Sequence, residues 1–179
     1  MPRLVRLLRG FCCLALLASA LGQDVKDLPK IESESLAGRK VALPEAAAGK
    51  VAVLVIGFSK ASKTPTNAWA KKVAADFGSR PAFELYQMAV LEDVPRLIRG
   101  IVISSIKSGV PESMRDHFLP VLHGEAELKK LVGYQEPDDA YMVVLNRSGK
   151  VVHQQHGALT DASYSELRGV IDPLLNQQN

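Results

Sequence analysis

Val51-Ala52-Val53-Leu54-Val55-Ile56-Gly57-Phe58 is an unbroken apolar run rich in β-branched residues. A strand buried on one face alternates apolar and polar residues, whereas this run does not alternate. It therefore predicts a central strand covered on both faces. Two covering layers need helices, and the flanking residues supply them. Ser59 to Thr66 ("SKASKTPT") is a polar turn, with Ser62 and Thr64 as candidate caps and Pro65 suited to a first helical turn. The helix is predicted from about Pro65 to Phe77, stopping at Gly78. Trp69, Val73 and Phe77 recur at spacing four and mark its buried face.

On the N-terminal side, Ser35 to Pro44 predicts a short strand or hairpin turning at Gly38, and Glu45 to Lys50 a loop of small residues. Downstream, Ala82 to Leu91 reads as the next strand. Asp93 to Gly109 reads as an amphipathic helix with Val94, Leu97, Ile98, Ile101, Val102 and Ile106 on one face. Its basic residues are few and a sheet nearby needs covering, so it is expected to pack on that sheet. A membrane-surface helix is the alternative. Pro111 to His117 predicts a helical turn, Phe118 to Leu122 a strand and Glu125 to Val132 a helix. Ala140 to Leu145 and Lys150 to Gln155 flank Asn146-Arg147-Ser148-Gly149 and predict a β-hairpin. Asp161 to Leu175 closes the chain as an amphipathic helix. Strands alternating with helices predict an α/β domain with helices on both faces of the sheet, and the terminal hairpin makes that sheet mixed.

The first residues read differently. Arg3, Arg6 and Arg9 precede the apolar run Phe11 to Leu21, whose end offers small residues at cleavage spacing, as Ala18-Ser19-Ala20 or Ala20-Leu21-Gly22. That is the order of a secretory signal peptide over residues 1–22, with 23–34 as a flexible leader and 35–179 as the domain. The apolar run is about half the ~20 residues that a spanning helix needs. The expected location is periplasmic or extracellular. Cleavage would remove Cys12 and Cys13, the only two cysteines, and with them any disulfide, thiolate or cysteine metal ligand. Removing Arg3, Arg6 and Arg9 from 22 basic residues leaves 19 against 19 acidic ones. A chain without a basic surplus is not expected to bind nucleic acid.

The order of elements and two strings resemble the thioredoxin-like superfamily, in its secreted thiol-oxidoreductase and peroxiredoxin-like branch. "LAGRKVAL" and "AAGKVAVLVIGFS" are similar to that branch's opening, and "AYMVVLNRSGKVV" to its hairpin. The resemblance spans about Ser35 to Leu175 and implies a three-layer sandwich around a mixed sheet. It places the family's cysteine pair in the loop after the central strand, where a helix N-terminus lowers thiol pKa values. On the thioredoxin register Ser62 and Pro65 stand at the two cysteine positions, and on the peroxiredoxin register Thr64 stands at the reactive one. A hydroxyl deprotonates far less readily than a thiol and forms no disulfide. The family's cis-proline position falls on Ala140, next to Tyr141. Met114 to Val152 is also similar to the non-redox mitochondrial ATP-synthase assembly chaperones.

These departures imply a binding or assembly scaffold with a protein or peptide partner in the cell envelope. Lys60, Ser62, Lys63, Thr64, Pro65, Ala140 and Tyr141 are its candidate contacts. No catalytic residue, metal or cofactor is expected, because no nucleophile has a nameable activating neighbour. His153 and His156 form H-x-x-H, but residues three apart on a strand point to opposite faces. The alternative is a thiol-free or partner-dependent enzyme of the same superfamily.

Overall fold

The computed structural model describes residues 26–177; the signal-peptide reading of residues 1–22 lies outside them. The elements are β1 (Lys26–Asp27), β2 (Ile31–Glu34), β3 (Lys40–Leu43), β4 (Val51–Gly57), α1 (Lys63–Phe77), β5 (Phe83–Val90) and α2 (Arg96–Gly109). Then follow a 3-10 turn (Glu112–His117), β6 (Phe118–Val121), α3 (Glu125–Val132), β7 (Ala140–Leu145), β8 (Lys150–His156) and α4 (Asp161–Asn176). Six strands form one mixed sheet in the order β1-β8-β7-β4-β5-β6. β4 is parallel to β5 and antiparallel to β7, and β8 returns antiparallel to β7.

Every residue of β4 is buried, as its composition requires. Its alternating side chains serve two separate cores. Val51, Val53 and Val55 meet Trp69, Val73 and Phe77 of α1 and Tyr164, Leu167 and Ile171 of α4. Ala52, Leu54 and Ile56 meet Leu128, Leu131 and Val132 of α3, and Ile31, Val41 and Leu43 of the β2–β3 hairpin. The sandwich thus has two helices on one face, and a helix with a hairpin on the other.

The leader reading of residues 23–34 is corrected where they are described. Lys26 and Asp27 pair with Val151 and Lys150 at the sheet edge, and Ile31 to Glu34 pair with Leu43 to Lys40. Leu28 and Ile31 turn inward, so a segment that reads as polar still contributes two core side chains. The hairpin turns at Gly38, whose φ of +88° suits glycine. It is fastened over β6: Leu36 N–H donates to Phe118 O (3.1 Å) and Ser33 Oγ to Pro120 O (2.8 Å).

α2 is the larger correction. The expectation that it packs on the sheet fails, because it buries no residue. Leu97, Ile98 and Ile101 are 96%, 45% and 70% exposed. The hairpin, not α2, covers that part of the sheet.

Candidate functional site

The site lies where β4 ends and β7 begins. Gly57 pairs with Ala140 as the last rung between them. Beyond that rung the chain leaves β4 as Phe58 to Ser62 and approaches β7 as Gly133 to Asp139. A direct bond ties the two loops: Ser59 Oγ donates to Asp138 Oδ1 at 2.7 Å. The same oxygen accepts the N–H groups of Ala61 and Ser62, both at 3.0 Å. Ser59 therefore organises the turn that starts α1, and its hydroxyl is fully occupied.

Ser62 is 1% exposed. It stands at the N-cap position of α1 in helical conformation and makes no side-chain cap. Its hydroxyl turns back and donates to Ser59 O at 2.8 Å. Thr66 Oγ1 donates to Ser62 O at 2.8 Å. These hydroxyls satisfy backbone groups inside the loop and none is free to react. The helix begins at Lys63, two residues earlier than predicted, and Pro65 occupies its third position, where no N–H is needed.

Gly57 explains why the loop can close so tightly. A Cβ there would run into Ser62 Oγ and come within 3.1 Å of Thr66 Cγ2. Gly57→Ala should cost about 1–3 kcal/mol through overpacking. Ser62→Ala removes the obstructing oxygen, so the double variant should be more stable than the two single losses added together. Urea midpoints for the four proteins test this. Losses that add within ~0.5 kcal/mol would show that the two side chains do not compete for one space.

On the β7 side, Ala140 and Tyr141 are both fully buried. Together with Ser62 they are corrected as partner contacts: they shape the site from within and offer no side-chain surface. Tyr141 Oη accepts the N–H groups of Gln135 (3.0 Å) and Glu136 (2.9 Å) and donates to Glu136 O (2.9 Å). One buried hydroxyl thus holds the loop that carries Asp138 and Asp139. Among the described residues the cis peptide bond is Leu43–Pro44, and the bond before Ala140 is trans.

The outward groups are Lys60, Lys63 and Thr64, with Pro65 half-buried. Lys63 Nζ lies 3.6 Å from where a Cβ on Gly109 would stand, so the end of α2 comes over the start of α1. α1 has no acidic residue in its first turn. Lys60 and Lys63 stand exposed at the start of this helix, near the Asp138 carboxylate that Ser59 holds.

Sequence reasoning missed two features. His156 Nδ1 lies 2.7 Å from Asp139 Oδ2, and its ring stacks on Tyr141 at 5.3 Å and 22°. Phe58 meets Tyr134 and Tyr141 edge-on at 5.1 and 5.3 Å, and Lys129 Nζ sits 4.6 Å over the Tyr134 ring. Its Glu125 partner raises the Lys129 pKa, so the ammonium stays charged. The pairing of Tyr141 with His156 was available from the hairpin register, but Asp139 lies outside the regular strand. The two histidines of H-x-x-H do face opposite ways: His153 pairs with Val144 and His156 with Tyr141, and these belong to different cores. Apart from this site, an open cleft of about 880 Å³ lies between the β2–β3 hairpin, Ile103 and Lys107 of α2, and Pro120 to His123.

No family model matches the chain, and no curated protein matches it. Solved structures do. A thiol:disulfide interchange protein DsbE from Chlorobium tepidum is 17% identical, with a TM-score of 0.58 over 85% of this chain and 97% of that one. BsSco, of the Sco family of cytochrome c oxidase assembly proteins, is 12% identical, with a TM-score of 0.59 over 87% and 97%. A peroxiredoxin-like protein from Aquifex aeolicus is 14% identical, with a TM-score of 0.53 over 84% and 86%. At these identities the likeness is one of fold, and the fold of this chain is thioredoxin-like.

Proposed function

We propose that this chain is an exported, non-redox thioredoxin-fold protein that binds a polypeptide partner in the cell envelope as an assembly or chaperone-like scaffold. One observation carries the reading. The loop where this fold places a reactive thiol holds serine and threonine hydroxyls spent on Asp138 and on the loop's own backbone, while Lys60, Lys63 and Thr64 face outward. A closed loop with two outward lysines suits an acidic segment of a partner and offers no thiol. Residues 26–177 contain no cysteine. The fold also serves assembly in a neighbour, since BsSco belongs to a family of cytochrome c oxidase assembly proteins. Met114 to Val152, similar to the ATP-synthase assembly chaperones, points to the same class of role.

A second reading, a thiol-free enzyme, rests on the Asp139–His156 pair. A carboxylate on Nδ1 orients an imidazole so that Nε2 can take a proton. The hydroxyls of Ser59, Ser62 and Thr66 are spent on hydrogen bonds, and none joins the outward Thr64 to His156, so binding is favoured.

Crosslinking in the intact cell envelope tests the proposal, with Lys60→Glu/Lys63→Glu/Thr64→Ala as the variant. A small set of partners should be captured by the unaltered chain and lost by the variant. The Cys12→Ser/Cys13→Ser chain should neither reduce a disulfide substrate nor turn over peroxide. Partners that persist in the variant would remove the loop from the interface. Thiol-independent turnover of either substrate would overturn the non-redox reading.

A further inference from the structure

Asn146-Arg147-Ser148, at the turn between β7 and β8, has the order Asn-x-Ser with a middle residue other than proline. That order is the acceptor signature of N-glycosylation, and it carries weight only on a surface loop of an exported chain. The chain has four asparagines, Asn67, Asn146, Asn176 and Asn179, and Asn146 alone has Ser or Thr two residues later. Its place in the fold is the one an acceptor needs. Ser148 is exposed, Asn146 and Arg147 are half-buried, and the three form the tip of the hairpin. β7 runs from Ala140 at the Ser59–Asp138 site to Leu145 at this tip, so roughly 17 Å of strand separates the two.

The two ends of the Asn146 amide are used differently. Its Oδ1 accepts three donors: the Ser148 N–H (3.1 Å), the Ser148 hydroxyl (2.8 Å) and the Lys150 N–H (3.0 Å). Its Nδ2 makes no hydrogen bond among the described residues and is not buried, so it is open to water. The backbone closes the turn by itself. Asn146 N–H donates to Lys150 O and Gly149 N–H to Asn146 O, both at 2.9 Å, and Gly149 takes φ +77°. An asparagine that opens such a turn is ordinary turn chemistry, but that role uses Oδ1 alone. Two backbone N–H groups already satisfy this oxygen, so the turn does not need the Ser148 hydroxyl.

That hydroxyl has a chemical use instead. An amide nitrogen is a weak nucleophile, because its lone pair is delocalised into the carbonyl. As Nδ2 gives up a proton and attacks, negative charge gathers on Oδ1, and donors already aimed there stabilise it. Ser148 Oγ is the shortest of the three. Transfer forms a bond from Nδ2 to the anomeric carbon of an oligosaccharide carried on a polyprenyl diphosphate. The bond from that carbon to the diphosphate oxygen breaks, and its electron pair leaves with the polyprenyl diphosphate. The Nδ2 proton passes to a base of the transferase. The product amide keeps one N–H and an unaltered Oδ1, so the turn survives the attachment.

We propose that Asn146 is an N-glycosylation site, taking an oligosaccharide at Nδ2 from a polyprenyl-diphosphate donor. The inference rests on export, the part of the proposed function that brings the chain to such a transferase. The glycan is bulky and hydrated. At the hairpin tip it stands at the far end of β7 from Lys60, Lys63 and Thr64, so it leaves the partner site open. It also lies beside Lys150, which pairs with Asp27 of β1 at the edge of the sheet. A hydrated chain there shields that edge from pairing with a strand of another molecule.

The test uses the full chain isolated from its own source, with variants expressed in that source. Intact mass and N-terminal sequence are read before and after peptide-N-glycosidase in heavy-oxygen water, which leaves a labelled aspartate wherever a glycan was attached. The unaltered chain should carry one glycan, and the label should fall on position 146. Ser148→Ala should lose most of the occupancy, and Ser148→Thr should keep it. Asn146→Gln should lose all of it, but this change also removes the side chain that caps the turn. Arg147→Pro is therefore the second variant. The second position of a β-turn accepts proline, whereas the acceptor signature does not. Arg147→Pro should lose the glycan while keeping the melting temperature of the unaltered chain after deglycosylation.

A chain processed at its N-terminus and free of glycan would overturn the proposal and leave export standing. An unprocessed chain free of glycan would overturn both. A glycan that persists on Asn146→Gln or Arg147→Pro would sit on another residue and overturn the assignment to Asn146. Equal occupancy in Ser148→Ala and the unaltered chain would overturn the role given to the Ser148 hydroxyl.

Discussion

Trp69→Ala is expected to lower stability by about 3–5 kcal/mol, the cost of truncating a large aromatic side chain in a packed core. Trp69 is fully buried between β4 and α4. Its ring lies 6.3 Å from that of Tyr164, and its indole N–H donates to Gly157 O at 3.0 Å. Truncation leaves a cavity against Val53 and Val55 and a carbonyl without its donor. Gly157 follows β8 directly, and its own N–H donates to Ala140 O at 2.9 Å. The loss thus reaches both the core and the end of β8 that carries His156. For a domain of this size the melting temperature should fall by roughly 6–20 °C. Trp69→Phe should lie between, since it keeps most of the volume and loses the N–H. Chemical denaturation should show a lower midpoint at an unchanged slope. A shift of only a degree or two would mean that Trp69 does not hold α1 to the sheet.

Tyr141→Phe is expected to cost ~2–4 kcal/mol although it removes a single oxygen. That oxygen serves two N–H groups and one carbonyl of Gln135 and Glu136. Each group left unpaired and shielded from water costs ~1–3 kcal/mol, and the loop recovers part of this by rehydration. The ring stays buried among Phe58, Tyr134 and His156, so packing is kept and the hydrogen bonds alone are read. Amide exchange gives the specific signature. Gln135 and Glu136 should lose protection by roughly tenfold or more, while the β4 amides change only as far as global stability falls. Under the proposed function, capture of an envelope partner should also weaken, because the same loop presents Asp138 to Ser59. Unchanged exchange at both amides would show that Tyr141 does not hold the loop.

Much of the fold is legible in local pattern, for an identifiable reason. Val51 to Phe58 carries no alternation, and only a strand covered twice can accept that. Asn146 to Gly149 joins two strand-forming runs with Gly149 at φ +77°, and α1, α3 and α4 bury the faces that their periodicity marks. Burial on a helix or strand is a short-range pattern, so these elements are readable residue by residue. The hydroxyl residues of Ser59 to Thr66 are equally local, and the proposed non-redox role rests on them.

What only the tertiary structure decided is where each exposed or covered face finds its neighbour. The period of α2 shows an apolar face but not what covers it. The β2–β3 hairpin takes the place on the sheet, and Leu97, Ile98 and Ile101 are left outside. Ser62 and Thr64 are similar hydroxyl residues two positions apart, yet one is buried against Gly57 and the other is open. Asp139 and His156 are 17 residues apart and meet through the pairing of β7 with β8. Such contacts depend on which distant segments compete for the same surface, and a single chain's local pattern carries no record of that competition.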